Sequence, residues 1–203
     1  LGDVAVAQGD LAAAAGHYRS DLEIAQKLAA ADPGNTGWQR DLSVSFNKLG
    51  DVAVAQGDLA AAAGHYQSGL EIAQKLAAAD PGNTEWQRDL SISFNKLGDV
   101  ARAQGDLAAA AGHYRSGLEI RQKLAAADPG NTGWQRDLSL SLYKLGQVVE
   151  KQERWAEALA WMEKSLAVDE RLAAKDASNV MWQDDVVKTR AAVERLLAAR
   201  PKP

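Results

Sequence analysis

Residues 49–96 read LGDVAVAQGDLAAAAGHYQSGLEIAQKLAAADPGNTEWQRDLSISFNK. The same 48 positions occupy 1–48 with four differences: Arg19/Gln67, Asp21/Gly69, Gly37/Glu85 and Val44/Ile92. Residues 97–144 differ from 49–96 at seven positions, and a fourth copy begins at Leu145 with LGQV in place of LGDV. That last copy diverges strongly yet keeps the register. A segment repeated in tandem without gaps is one supersecondary unit stacked on itself, because a single unit cannot bury its own apolar face.

Pro81-Gly82 and Gly57-Asp58 punctuate the unit into two segments of about twenty residues each. The first runs from Thr36 to Gln56, with apolar residues at Trp38, Leu42, Phe46, Leu49 and Ala53. Steps of four and three put these on one helix face. Thr36-Gly37-Trp38-Gln39 fits a capping box, with Asn35 as the competing cap that Asn179 of the fourth copy favours. Gly57 suits a left-handed helix end, and Asp58 caps the second helix. The apolar stripe of that helix is Leu59, Ala62, Ala63, Tyr66, Leu70, Ala73, Leu76 and Ala77. No stretch alternates with period two, so the chain is predicted to be all-α, built of long antiparallel helix pairs.

The 203 residues are 46% hydrophobic and 25% charged, an ordinary globular balance. Cysteine is absent, which excludes disulfide frameworks, thiolate metal sites and thiol nucleophiles. A net charge of −4 argues against a nucleic-acid partner. No apolar run reaches the ~18 residues of a membrane span, and no signal-peptide pattern opens the chain, so no membrane partner and a cytoplasmic location are expected. Six Trp stand against two Phe, but Trp38, Trp86, Trp134 and Trp182 are one repeated position. His17, His65 and His113 are likewise one position.

Leu49-Gly50, Ala62, Tyr66 and Leu70 fall at the spacing of the tetratricopeptide repeat, and the chain resembles that family over essentially its whole length. The fourth copy matches through Leu145-Gly146, Trp155, Ala158-Leu159 and Leu166. The unit departs in length, 48 residues against the family's usual 34, which fits about two extra turns on each helix. The usual Pro after the second helix comes late, at Pro33, Pro81 and Pro129. Such long units resemble the kinesin light chain and bacterial signalling arrays. The resemblance implies a right-handed α-α superhelix, a solenoid forming a single domain over 1–203. Its repeats are 1–48, 49–96, 97–144 and 145–179, closed by a capping helix at 180–199.

Gly50, Gly98 and Gly146 are expected where each first helix crosses its partner. Glu194 stands at the same register in the last helix, which only 200–203 follow, so 180–199 reads as a polar cap. The chain opens with Leu1 partway through a first helix, and is expected to be part of a longer array with a frayed first half-helix.

No catalytic constellation emerges, and no cofactor or metal is expected. Equivalent His residues of stacked pairs lie about 20 Å apart, too far for one ion to bridge. Ser43 and Ser45 have no paired base, and the carboxylates read as caps or solvated helix-face charges. Each Trp of the repeated position is expected to pack on the second helix of the preceding pair. Trp155 is expected in the core and Trp161 on the surface.

The family resemblance places first helices along a concave groove. Its candidate lining is Arg40, Val44, Asn47, Asp51 and Val54, then Arg88, Ile92, Asn95, Asp99 and Arg102, then Arg136, Leu140, Tyr143 and Gln147. Asn47 and Asn95 resemble the groove asparagines that hold a peptide backbone in long-unit relatives. Asp51 and Asp99 stand where the carboxylate clamp of chaperone cofactors has Asn, which disfavours an anionic C-terminal ligand. Differences among near-identical copies, such as Val54/Arg102/Glu150, fall on this face. The expected function is a protein-interaction module taking a protein or peptide in the groove. The alternative is a self-assembling segment of a larger bacterial signalling protein, associating end to end.

Overall fold

The computed structural model describes residues 1–199; the tail at 200–203, read above as following the cap, lies outside the described residues. Every regular element described is an α-helix: α1 (Gly2–Ala7), α2 (Leu11–Ala31), α3 (Thr36–Ala55), α4 (Leu59–Ala79), α5 (Thr84–Ala103), α6 (Leu107–Ala127), α7 (Thr132–Lys151), α8 (Trp155–Lys175) and α9 (Val180–Ala199). The fold is all-α, in helix pairs joined by short turns, as the sequence predicts. Two compact units form, one spanning Leu1–Gln104 and the other starting at Gly105. In the first, consecutive helices from α1 to α5 pack on one another; in the second, α6 to α9 do the same.

The helix boundaries follow from local chemistry. Asn35 wins the competition to cap α3: its side-chain oxygen accepts from the Trp38 amide at 3.1 Å, and Asn83, Asn131 and Asn179 repeat the bond. Gln39 does not close a capping box. Its Nε2 reaches back to the Ala29 carbonyl at 3.2 Å, and Gln87, Gln135 and Gln183 do the same to Ala77, Ala125 and Ala173. Each first helix is thereby tied to the end of the preceding second helix. Gly57 adopts φ +80°, and Asp58 accepts from the Ala61 amide at 2.9 Å, as their residue types require. The fourth copy breaks this turn chemistry: Glu153 holds φ 62° without being Gly, and Arg154 supplies no side-chain cap.

The small residues at the crossings have a steric reason. A Cβ on Gly50 would overlap the Tyr66 ring, whereas one on Gly146 would stand 3.0–3.2 Å from the flexible end of Met162. In the first unit the core runs through Leu49, Ala53, Ala62, Tyr66, Leu70 and Leu97. Trp38, Leu42 and Phe46, expected on the core stripe, are only half-buried, whereas Ser43 is buried. The Ser43 hydroxyl donates to the Gly69 carbonyl at 2.9 Å, so a small hydroxyl meets a glycine where α3 and α4 approach closely.

Two of the Trp expectations are corrected. Trp155 is 40% exposed rather than core. It opens α8 at the register of Leu11, Leu59 and Leu107, all half-buried, and its larger ring extends past that seat into solvent. Trp161 is half-buried rather than exposed, because its indole N–H donates to Glu157 at 3.2 Å and Lys164 covers its ring at 4.5 Å. Glu194 is exposed on α9, and so are the apolar Met181, Val187 and Leu197.

Candidate functional site

The first helices meet their neighbours through polar side chains that recur at the repeat spacing. In the first unit, Arg40 on α3 donates from Nε to Asp89 on α5 at 2.5 Å and pairs with Glu85 at 2.9 Å. In the second unit, Arg136 on α7 pairs with Asp185 on α9 at 2.8 Å. Two to three turns further along, a three-residue set recurs. Asp51 accepts from the Tyr66 hydroxyl at 2.6 Å and from Lys96, whose ammonium lies 5.2 Å from the Tyr66 ring centroid. Asp3, Tyr18 and Lys48 make the same set one repeat earlier. Lys48 and the Tyr18 phenol hold the Asp3 carboxyl below its ordinary pKa, while burial and that carboxylate push Tyr18 up to about 12.

Between these polar ties lie clefts. The first, of about 190 Å³, opens between α3 and α5 and is lined by Ser43, Val44, Asn47, Asp89, Ile92 and Lys96. Its counterpart in the second unit, about 230 Å³ between α7 and α9, is lined by Ser139, Leu140, Tyr143, Asp185 and Lys188 at the matching registers. Another cleft of the first unit, about 320 Å³, is lined by Asp51, Val54, Asp99 and Arg102 beside the Tyr66–Lys96 contact. It too has a counterpart one repeat earlier, about 210 Å³, at Asp3, Val6, Tyr18 and Lys48.

The fourteen candidate groove residues therefore take different places. Val44, Asn47, Asp51 and Ile92 line one cleft, Asp51, Val54, Asp99 and Arg102 the next, and Arg136, Leu140 and Tyr143 the one in the second unit. Arg40 and Arg136 are committed to ion pairs with the following first helix. Arg88 is exposed, Gln147 is half-buried, and Asn95 is only 5% exposed. The two asparagines thus differ: Asn47 stands half-buried with its side-chain oxygen 3.1 Å from where a Gly69 Cβ would be, and that oxygen has no hydrogen-bond partner.

Sequence reading missed the charges inside the fold. Arg121 and Asp169, both buried, occupy one register that holds Ala25 and Ala73 in the earlier copies. Arg121 donates to the Asp137 carbonyl at 2.8 Å and to the Ser141 hydroxyl at 2.9 Å. Asp169 accepts from the Ser139 and Thr189 hydroxyls, the latter at 2.8 Å. The reading of all carboxylates as caps or solvated charges is thereby corrected. The departure from Ala at that register was the available signal.

No metal site assembles among the described residues from three or more His, Asp or Glu side chains. His65 and His113 are half-buried, and burial lowers both imidazoles from their ordinary pKa; His65 stacks obliquely on Phe46 at 6.4 Å. No helix among the described residues is long and apolar enough to cross a membrane.

Helix pairs with recurrent crossings, and side-chain clefts between successive first helices, define a helical-repeat protein of the kind used as interaction scaffolds. The tetratricopeptide-repeat profile matches residues 92–129 and 138–176. Those two segments of the chain match the tetratricopeptide-repeat family. Two solved structures of a Podosopora anserina protein of the kinesin-light-chain type with nearly identical TPR-like repeats share the fold. One, of a point variant of that protein, has TM-score 0.54 at 17% identity, covering 98% of this chain and 93% of that one. The other has TM-score 0.53 at 17% identity, covering 98% and 94%. BtubC (BKLC) from P. vanneervenii aligns at TM-score 0.43 and 16% identity, over 95% of this chain and 94% of that one. No curated protein matches the sequence.

Proposed function

We propose that the chain is a protein-interaction module that takes an extended peptide or protein segment across the faces of its first helices. The fold is one typical of non-enzymatic protein-interaction scaffolds. The observation that carries the reading is the pair of register-matched clefts, α3/α5 and α7/α9. Their polar frame is the same Arg–Asp tie, while their lining changes from Val44, Asn47 and Ile92 to Leu140, Tyr143 and Lys188. A constant frame with variable lining is what recognition requires, since specificity lies in the side chains of the cleft. Asn47 lines the first cleft with its oxygen buried against Gly69, which leaves the amide N–H₂ as the group that could serve a peptide backbone, as a donor. Selection from a displayed library of random twelve-residue peptides, followed by calorimetric titration, tests this. An enriched peptide should lose about tenfold in affinity on Asn47→Ala, and more on Val44→Glu. A bound peptide indifferent to both would sink the assignment.

A second reading, end-to-end self-association, is supported by one feature. Leu28 is 39% exposed, whereas its counterpart Leu76 is 7% exposed; Ile24, one turn before it, is exposed, as are Leu1 and Val4 at the start of the chain. Light scattering across concentration decides it: a mass that stays monomeric at high concentration excludes it.

A further inference from the structure

The second-unit cleft holds a feature that its first-unit counterpart lacks. Asp169, on α8, forms part of the cleft wall and is only 3% exposed. Its two carboxylate oxygens accept from Ser139 on α7 and Thr189 on α9. No cation among the described residues makes a direct ion pair with it: Arg136, which lines the same cleft and acts on Asp169 through its charge, pairs with Asp185, and Lys188 stands solvent-exposed at the rim. The first-unit cleft has Ala73 at the same register.

Removing a carboxylate from water is costly unless it is paired or fully hydrogen-bonded. Two hydroxyl donors leave acceptor capacity on both oxygens, since a carboxylate offers about four lone-pair directions. Burial accordingly raises the pKa of Asp169. The contrast with the neighbouring copy is instructive. Arg121, at the same register, spends its donors on the Asp137 carbonyl and the Ser141 hydroxyl. Asp169 opens instead on a cavity of about 230 Å³ with the half-buried Tyr143 on its wall. A carboxylate at the back of a cleft with an aromatic on its side suits an organic cation, which gains a charge-assisted hydrogen bond and a ring face together. Of the two cations that line the cleft, Arg136 has its charge balanced by Asp185 and Lys188 at the rim is screened by solvent, so they oppose this only weakly.

We propose that the α7/α9 cleft receives a lysine or arginine side chain of the bound protein segment, with Asp169 as its counter-ion. The proposal rests on the reading that the first-helix faces bind such a segment, and it names the chemistry of one subsite.

The test uses methylguanidinium chloride as the probe, titrated into the isotope-labelled full chain, with sodium chloride at equal ionic strength as the control. Amide resonances of Leu140, Tyr143 and Thr189 should shift saturably with methylguanidinium and not with sodium. Asp169→Asn should weaken the apparent affinity by about tenfold, the loss expected for one charge-assisted hydrogen bond. Should Asp169→Asn fail to fold, Leu140→Trp fills the cleft while keeping the carboxylate, and should abolish the shifts. Shifts that are absent in the wild type, unchanged in both variants, or spread over exposed carboxylates overturn the proposal. A selected peptide that binds equally well to wild type and Asp169→Asn leaves the interaction reading standing and removes the cation subsite. Failure to select any peptide while the methylguanidinium shifts persist does the reverse.

Discussion

In the first unit Asp51, Tyr66 and Lys96 form one contact set, and Asp3, Tyr18 and Lys48 form it again. In the fourth copy the same three registers hold Gln147, Met162 and Ala192. All three have changed together. A phenol without its carboxylate would be a buried hydroxyl lacking its acceptor, and a carboxylate without its lysine would lose its cation. The set is therefore exchanged as a unit for an apolar contact at Gly146 and Met162. The tie between first helices moves to another pair: Arg195 on α9 donates to Glu150 on α7 at 2.8 Å. The lesson is that copy-to-copy coupling is required, whereas its chemistry is not.

Four measurements break or sharpen that contrast. The largest effect is expected at the crossing glycines. Gly50→Ala drives a methyl into the rigid Tyr66 ring and should cost about 2–3 kcal/mol, seen as a lower midpoint in urea. Gly146→Ala meets only the flexible end of Met162 and should cost under about 1.5 kcal/mol. Equal costs would show that ring rigidity does not govern the crossing.

Next is the turn where the fourth copy departs. Glu153→Gly removes a left-handed non-glycine residue and should stabilise by about 1 kcal/mol, raising Tm, while Gly57→Glu should destabilise by a similar amount. No change in either would mean that the turn is not strained by its side chain.

The contact set comes third. Tyr66→Phe should cost about 1 kcal/mol, and a double-mutant cycle with Lys96→Met should give a coupling above ~0.5 kcal/mol. An additive pair would break the claim that the three residues act together. Smallest is the backward tie of the first helix: Gln39→Ala should cost about 0.5–1 kcal/mol, chiefly by releasing the Ala29 carbonyl. Its effect should exceed that of Gln183→Ala, whose bond is longer at 3.5 Å.

Legibility in the sequence tracks how local each cause is. Gly57, Asp58 and the bounds of α9 depend on a few neighbouring residues, and they sit where the sequence put them. The candidate residues were legible as a helical stripe, and most of them line clefts. The commitments of individual members were not. Asp51 is held by a tyrosine fifteen residues on and a lysine forty-five residues on, and nothing in a helical stripe announces either partner. Asn47 and Asn95 share a register yet differ in burial, which depends on what each neighbouring helix presents. Gln39 matched a capping box by spacing, but the backbone placed a free carbonyl of the preceding helix within its reach.

The sequence by itself determined the repeat length, the helix pairs, their turns and caps, and the small residues at their crossings. Each of these rests on steric and hydrogen-bonding rules spanning a few residues, multiplied by four copies. Only the tertiary structure decided which polar side chains are spent on holding neighbouring helices and which are left in the clefts. It also decided that the charges of Arg121 and Asp169 are buried. Those outcomes depend on distances between helices far apart in the chain, and a helical period carries no information about what stands opposite it.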